Sequence, residues 1–317
     1  MSELRIAVFG TGAVGGYFGG RLAEAGEDVR FVARGSHLAA LRADGLRVTS
    51  VAGDFAIRPV QVSDDPAELG PADVVLVGVK AWQLPEAADA IRPPVGDQTC
   101  IVPLQNGIEA PDQLARVHGS ARVLGGLCRI IAYVDGPGHI RHAGAPPYVA
   151  FGELEGRNGA RVEALRLAFA RTRGISVEVP DDIRAAMWSK FVFIAALSGV
   201  GALVRAPIGV IRGQPETRAL LQEALREIYA VAEGFGVTLP PDLVATTLAY
   251  IDTMPADGTA SMQRDVIHGR PSELEAQVGA VVRLGERAGV PVPLHRTIYA
   301  ALLPVERKAR GALEFSL

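Results

Sequence analysis

The segment Gly10-Thr11-Gly12-Ala13-Val14-Gly15 has the G-x-G-x-x-G spacing of a turn that holds a dinucleotide. It follows a β-type run at residues 4–9 and opens a helix-like stretch, after which a second strand is predicted at residues 29–33. The first glycine permits a tight turn, the second lets backbone approach a pyrophosphate, and the third allows close packing of helix on strand. The helix N-terminus attracts the phosphates. The segment therefore predicts a Rossmann-type unit whose cofactor contacts are Gly10, Thr11, Gly12, Ala13, Val14 and Gly15.

Polar residues follow two further predicted strands. Lys80 comes after a strand at residues 72–79, and Gln105-Asn106-Gly107 follows one at residues 99–104. In an open parallel sheet, ligands bind beyond the carboxyl ends of the strands. Lys80 and Asn106 are therefore candidates for ligand contacts.

The residue after the second strand indicates which dinucleotide is bound. An NAD site usually has an acidic residue there for the ribose hydroxyls, whereas this chain has Ala33-Arg34-Gly35. Arginine suits a 2′-phosphate, so we predict NADP(H) over NAD(H), with Arg34 as a cofactor contact. The alternative is that Arg34 is only a solvated surface residue.

The pattern changes after Pro180, and 317 residues are enough for two domains. Upstream, strands alternate with helical stretches, and residues 46–62 read as a hairpin around Gly53-Asp54. Downstream, helical periodicity dominates in segments near residues 182–204, 215–234, 241–253, 271–288 and 293–309. We predict an α/β N-terminal Rossmann-type domain with a mostly parallel sheet at residues 1–180, followed by an all-α C-terminal domain at residues 181–317.

Lys190 interrupts an apolar stretch that runs from Trp188 to Leu197. Burying an unpaired amine costs on the order of several kcal/mol. Lys190 therefore needs a partner or a function. The alternative is that its ammonium reaches the surface while its stem packs. The apolar run at residues 191–204 is shorter than the roughly 20 residues of a membrane span and is predicted to be a buried helix.

Composition excludes several classes of protein. A net charge of -3 gives no bulk positive field for nucleic acid, and the 49% hydrophobic content is that of an ordinary globular protein. The six histidines include no pair at metal-ligand spacing, and Cys100 and Cys128 lie in apolar strands as core residues. The N-terminus has no apolar signal segment, so we expect a cytoplasmic protein without metal, nucleic-acid or membrane partners.

Five blocks in order resemble the ketopantoate reductase (2-dehydropantoate 2-reductase) family over nearly the full length. They are the glycine turn, Val79-Lys80-Ala81-Trp82-Gln83, Gln105-Asn106-Gly107, Trp188-Ser189-Lys190, and Ser261-Met262 leading to Glu273. The resemblance implies a Rossmann domain followed by a helical one, an active site in the cleft between them, and an NADP-dependent oxidoreductase of pantothenate biosynthesis that reduces ketopantoate to pantoate.

The resemblance also implies roles for single residues. Lys190 would be the proton donor, and Glu273 would lie near it and the nicotinamide ribose. Ser261 would contact the substrate, Lys80 and Asn106 would border both ligands, and the Ala132 backbone would touch the cofactor.

The carbonyl oxygen of the substrate becomes negative as hydride adds to the carbonyl carbon, so a lysine beside it can supply both a positive charge and a proton. We expect desolvation to lower the pKa of Lys190 and Glu273 to limit that fall.

Two positions depart from the biosynthetic members. Ile194 and Ile208 stand where those members carry asparagines that contact substrate, and Ser198 is the next residue on that helix face. Ser198 is thus the remaining candidate for this contact. An alternative substrate is another branched or aromatic 2-oxo acid, and an alternative function is an NADP(H)-sensing regulator without turnover. A homodimer through the helical domain and a monomer both fit the sequence.

Overall fold

The structure is a computed structural model that describes residues 3–316. The chain divides into two compact units. The first contains the residues up to Gln105 together with Ala110–Ile183, and the second contains Asn106–Glu109 together with the residues from Arg184 onward. Asn106–Glu109 thus groups with residues that follow it by nearly eighty positions in the sequence.

The strands of the described chain all lie in the first unit. They are β1 (Arg5–Phe9), β2 (Asp28–Val32), β3 (Leu46–Ser50), β4 (Phe55–Ile57), β5 (Gln61–Ser63), β6 (Ala72–Val77), β7 (Val95–Pro103), β8 (Leu124–Val134), β9 (His139–Glu153) and β10 (Ser176–Glu178). Its helices are α1 (Ala13–Glu24), α2 (Gly35–Asp44), α3 (Leu84–Ala90), α4 (Ala110–His118) and α5 (Ala160–Ala170).

Five strands form a parallel sheet in the order β5-β2-β1-β6-β7. The central strand β1 is buried from Ile6 to Phe9, because apolar residues must fill both faces of a sheet covered by helices. The order places the carboxyl ends of β1, β2, β6 and β7 along one edge. The predicted Rossmann-type α/β fold with a mostly parallel sheet is confirmed.

A second sheet is built around the long strand β9. It pairs antiparallel with β8 and parallel with β3 and β10, while β4 pairs antiparallel with β3. The β3–β4 pair is the predicted hairpin. The region from Val123 to Leu154 forms two long strands, of 11 and 15 residues.

Both cysteines are buried in strands, Cys100 in β7 and Cys128 in β8. Burial raises the pKa of the Cys100 thiol to about 11, since the apolar surroundings disfavour the thiolate. Cys100 is therefore uncharged at neutral pH and acts as a core residue, as the sequence predicts.

The second unit is helical. Its helices are α6 (Ile183–Val204), α7 (Ile208–Gly213), α8 (Pro215–Gly234), α9 (Leu243–Thr253), α10 (Ser261–Ile267), α11 (Ala280–Ala288) and α12 (Pro293–Ala309), with a π-helical turn at Glu275–Gly279. The short helices α7 and α10 were not predicted, and the segment expected to be one helix near residues 271–288 is divided into the π-helical turn and α11. The predicted all-α region is otherwise confirmed.

The helix α6 contributes to the second unit's core. Its residues Ala195, Ala196 and Val200 are completely buried and belong to the same hydrophobic cluster as residues of α8, α11 and α12. With 22 residues, α6 is long and apolar enough to cross a membrane, but 67% of its most apolar window is buried within the protein. The prediction of a buried helix is confirmed, and the bounds of α6 agree with the helical segment predicted near residues 182–204.

Candidate active site

The glycine turn between β1 and α1 has no room for side chains at two of its positions. Gly10 has a φ of +95°, and a Cβ there would lie 2.6 Å from a Val79 methyl carbon. A Cβ on Gly15 would lie 2.2 Å from the Gly10 carbonyl oxygen. Glycine is required at both positions because the backbone of the turn folds directly onto the start of α1.

Gly12 is different, because a Cβ added there would meet nothing within 4 Å. The backbone is therefore uncovered at the N-terminus of the twelve-residue helix α1. Thr11 ties the turn to the end of β2, since its backbone N–H and its hydroxyl both donate to the Val32 carbonyl, at 3.1 and 2.8 Å. An uncovered backbone at a helix N-terminus fits the pyrophosphate of a dinucleotide.

Arg34 lies two residues after the end of β2 and is the N-cap residue of α2. Its side chain is 63% exposed and forms a 3.2 Å ion pair with Glu86, which is 71% exposed. Such an exposed ion pair contributes at most about 1 kcal/mol. The guanidinium therefore remains available to a phosphate group at this edge of the sheet.

Lys80 and Ala132 were predicted to contact the cofactor, and both lie in the first unit. Lys80 is exposed beyond the end of β6, with its ammonium 5.7 Å from the centre of the Trp82 ring. Ala132 is half-buried in β8 and packs against the core of the unit.

Gln105 is a residue that the sequence analysis quoted without assigning a role. Its side-chain amide donates to the carbonyls of Val77 and Val79, at 2.9 and 3.1 Å. Its Oε1 atom is buried and has no hydrogen-bond partner within residues 3–316. Gln105 thus fixes the backbone at the end of β6, which packs against the glycine turn at Gly78.

In the second unit the structure brings together two predicted residues, Asn106 and Glu273, which are 167 positions apart. The Asn106 side chain donates to Oε2 of Glu273 at 3.3 Å, and Glu273 is only 5% exposed. Gln277, which the sequence analysis missed, also donates to Oε2, at 3.5 Å. A buried carboxylate held by two amides keeps a fixed orientation.

Glu273 and Gln277 are four residues apart and lie on one face, because the Gln277 N–H donates to the Glu273 carbonyl at 3.0 Å. A π-helical turn begins at Glu275. The N–H of Gly279 donates to the carbonyl of Leu274, five residues earlier, at 2.9 Å. A Cβ on Gly107 would lie 2.9 Å from the Ala276 carbonyl oxygen, so the Asn106-Gly107 turn rests directly on this π-helical turn. Turns of this kind occur frequently at functional sites.

A salt bridge holds the same segment from its other end. Arg283 on α11 binds the Glu109 carboxylate at 2.7 Å and the Glu275 carboxylate at 3.0 Å. The Tyr299 hydroxyl donates to Glu275 at 2.5 Å. These contacts account for the grouping of Asn106–Glu109 with the second unit.

Lys190 is half-buried on α6, and the residues Trp188 and Phe191, near it in sequence, are buried. Ser189, Phe193 and Ile194 are likewise only partly buried. Because positions three and four apart lie on the same side of a helix, Lys190, Phe193 and Ile194 share one partly exposed face of α6. The amine therefore lies at the border between the core and the surface of the second unit.

The remaining predicted residues differ in accessibility. Ser261 is half-buried at the start of α10. Ser198 is completely buried, and its hydroxyl has no hydrogen-bond partner in the described part of the chain. Its role as a substrate contact stays a prediction. Ile208 is 1% exposed and belongs to the core, so of the two apolar replacements only Ile194 lies near the surface.

Two family models match most of the chain. Residues 6–156 match "Ketopantoate reductase PanE/ApbA", and residues 182–306 match its C-terminal counterpart. The chain is 32% identical over 299 residues to an uncharacterized oxidoreductase of Bacillus subtilis, covering 94% of this chain and 98% of that protein. It is 33% identical over 327 residues to a 2-dehydropantoate 2-reductase of Mesorhizobium japonicum, covering 96% and 98%.

Solved structures agree in fold. The crystal structure of 2-dehydropantoate 2-reductase from Geobacter metallireducens superimposes with a TM-score of 0.88 at 32% identity, covering 96% of this chain and all of that chain. A D-mandelate dehydrogenase bound to NADH and anilino(oxo)acetate gives a TM-score of 0.86, covering 96% and 99%, but at 20% identity this likeness concerns the fold alone.

Proposed function

This chain belongs to the ketopantoate reductase family, and we propose that it is an NADPH-dependent reductase of a 2-oxo acid, with 2-dehydropantoate as the first candidate substrate. The family is one of oxidoreductases that act on 2-oxo acids. The observation that carries the proposal for this chain is the hydrogen bond between Asn106 and the buried Glu273, which assembles two of the expected site residues from distant parts of the sequence.

The residues of the first unit would bind the cofactor. The backbone of residues 10–15 would hold the pyrophosphate, Arg34 the 2′-phosphate, and Lys80 and Ala132 would border the rest. When bound, NADPH supplies the hydride that the carbonyl carbon accepts. Arg34 supports NADP(H) over NAD(H), because a guanidinium binds phosphate through charge-assisted hydrogen bonds.

The residues of the second unit would stabilise the negative charge that develops on the substrate and supply the proton. Lys190 donates a proton from Nζ to the carbonyl oxygen, and its positive charge stabilises the negative charge that develops there. Glu273, held by Asn106, orients the ammonium. Ser261 and Asn106 contact the substrate. Lys190 at a half-buried position supports this role, because the amine can meet a small molecule without being fully exposed to water.

A second candidate is the same reaction on an aromatic or larger branched 2-oxo acid. Phe193 and Ile194 lie beside Lys190 on α6, and the Phe193 ring meets the Tyr250 ring edge-on at 5.5 Å. Tyr250 is 51% exposed, so this aromatic pair presents apolar surface near the proposed proton donor. Exposed apolar surface of this kind favours contact with an aromatic or bulky apolar substituent over a hydroxylated one.

Oxidation of NADPH by the purified protein against a panel of 2-oxo acids tests these candidates. We expect turnover of 2-dehydropantoate under the first candidate, and turnover confined to phenyl- or branched-chain 2-oxo acids under the second. Tight NADPH binding with no turnover on any member would contradict both and favour an NADP(H)-sensing regulator.

Location and assembly remain proposals of the same kind. We place the protein in the cytoplasm, where its small-molecule substrate would be found, and the homodimer through the helical domain stays a prediction. Light scattering on the purified protein distinguishes the dimer from a monomer.

A further inference from the structure

We infer that Glu306 is a positioning residue for the reaction, acting on Glu273 through Ser272. The inference rests on the proposed function, in which the Glu273 carboxylate orients the proton donor. Its basis is a group of contacts formed by the buried residues Ser272 and Glu306 and the partly exposed Arg310, which we call the Ser272 clamp.

The clamp satisfies every polar atom of Ser272, which is completely buried. Its backbone N–H lies 3.1 Å from both carboxylate oxygens of Glu306, and its hydroxyl donates to Oε2 of Glu306 at 2.6 Å. Its carbonyl accepts a hydrogen bond from Arg310 at 2.9 Å. Ser272 is therefore fixed in both position and orientation by the end of a helix that is distant in sequence.

The carboxylate that makes these contacts is in an unfavourable place for stability alone. Glu306 is 3% exposed and lies in the last turn of α12, where the helix macrodipole disfavours a negative charge. Arg310 offsets that effect through a 2.6 Å contact to Oε1. A buried acceptor-only group at this position is best explained by the three donors it must bind: the N–H and hydroxyl of Ser272 and the Arg310 side chain.

The clamp restrains the residues on both sides of Glu273. The Ser272 hydroxyl accepts from the Leu274 N–H at 3.2 Å, so Ser272 and Leu274 are linked across Glu273. On the far side, the N–H of Gln277 donates to the Glu273 carbonyl at 3.0 Å. These contacts hold the Glu273 backbone at the position from which its side chain accepts the hydrogen bond of Asn106.

Loss of the Glu306 charge would release Ser272 and let the Glu273 carboxylate shift relative to its partners. A displacement of about 1 Å at a catalytic group can lower a rate by about 100-fold. The effect of Glu306 on the reaction should therefore require Glu273 to be present.

The test is a double-mutant cycle on kcat/KM with the substrate found in the panel above. Glu306→Gln should lower kcat/KM about 10- to 100-fold in the wild type, mainly through kcat, and by less than about twofold in a Glu273→Gln background. Ser272→Ala, which removes the hydroxyl contacts only, should act in the same direction with a smaller effect and serves if Glu306→Gln folds poorly. Equal losses in both backgrounds, or no loss in Glu306→Gln, would overturn the inference.

The matched control is Glu227→Gln. Glu227 is also buried and also binds α12, but at its other end, where it accepts from the N–H groups of Leu294 and His295. This variant should lose stability while its kcat/KM stays within about twofold of the wild type, because it does not contact the Ser272 clamp.

Crystal structures separate this inference from the proposed function. In Glu306→Gln the Asn106–Glu273 hydrogen bond, 3.3 Å in the wild type, should be lost, and in Glu227→Gln it should be kept. If the bond is kept in Glu306→Gln, the inference is wrong whatever the reaction proves to be. If the bond is lost but the wild type reduces no 2-oxo acid, the positioning role stands and the proposed function fails.

Discussion

At the residue scale, the proposed preference for NADP(H) depends on a single side chain. Arg34 stands where many dinucleotide sites have an acid, and its weak surface pairing with Glu86 leaves it able to bind a phosphate. The position could be recognised from sequence because the end of β2 is defined by the glycine turn that precedes it.

Arg34→Ala should weaken NADPH binding about tenfold or more, since a charge-assisted hydrogen bond contributes about 1.5–3 kcal/mol. NADH binding should change by less than about twofold, because that cofactor lacks the 2′-phosphate. Fluorescence titration of both cofactors provides the measurement. The control is Glu86→Gln, which removes only the ion-pair partner of Arg34. An equal loss for the two cofactors would refute the role of Arg34.

The lowered pKa of Glu227 predicts how the stability of the folded protein depends on pH. Burial disfavours its charge, but the hydrogen bonds from the His295 side chain and from two backbone N–H groups outweigh burial and lower its pKa from 4.5. A carboxyl group with a lowered pKa contributes stability above its unfolded-state pKa and loses it as the pH falls through the folded-state pKa. The stabilising effect of Glu227 is therefore complete near neutral pH and disappears in acid.

Glu227→Gln should lower the free energy of unfolding by about 1–3 kcal/mol at pH 7, and the difference from the wild type should shrink as the pH falls below about 4.5. Urea denaturation at a series of pH values measures both quantities. A difference that stays constant on acidification would show that the carboxylate charge is not what stabilises this contact.

The roles of two glutamines could not be predicted from the sequence. Gln105 and Gln277 look like ordinary polar residues near the ends of elements, and their roles depend on carbonyl and carboxylate groups brought to them by the fold. Only the structure shows that Gln105 fixes the end of β6 and that Gln277 lies beside Glu273.

At the element scale, α1 and its glycine turn were predictable because the spacing of the three glycines is typical of a strand, a tight turn and a helix in succession. The π-helical turn was not, since a single extra residue hardly changes the apolar pattern that predicts a helix near residues 271–288. The helices α7 and α10 have six and seven residues, too few to show a helical period. Ile208 at the start of α7 is instead held by a tertiary hydrogen bond to the Gly258 carbonyl.

The glycine turn yields a paired prediction. Gly15→Ala should destabilise the protein by about 1–3 kcal/mol, because its Cβ would collide with the Gly10 carbonyl. Gly12→Ala should leave stability within about 0.5 kcal/mol of the wild type, because nothing lies near its Cβ, yet weaken NADPH binding by about tenfold or more if the pyrophosphate occupies that space.

Thermal unfolding and cofactor titration of the two variants give the measurement. The wild type serves as the reference for both. Equal destabilisation by the two substitutions, or normal NADPH binding by Gly12→Ala, would contradict the assignment of the open side of the turn to the cofactor.

At the scale of the whole molecule, the two classes of architecture followed from the sequence, because strand and helix patterns change clearly after Pro180. The grouping of Asn106–Glu109 with the helical unit did not, since it depends on a salt bridge between Glu109 and Arg283, 174 positions apart. The candidate site was likewise only partly predictable from the sequence. Its residues were named from sequence blocks, but the Asn106–Glu273 contact required the folded chain.

The proposed role of Lys190 as proton donor is tested by the steady-state rate of Lys190→Ala, measured with NADPH and the best 2-oxo acid of the panel. We expect kcat/KM to fall about 10²- to 10⁴-fold, the usual contribution of a general acid, while the Kd for NADPH changes by less than about threefold. A variant that retains the wild-type rate, or that loses activity only because it no longer binds NADPH, would contradict the claim that Lys190 delivers the proton.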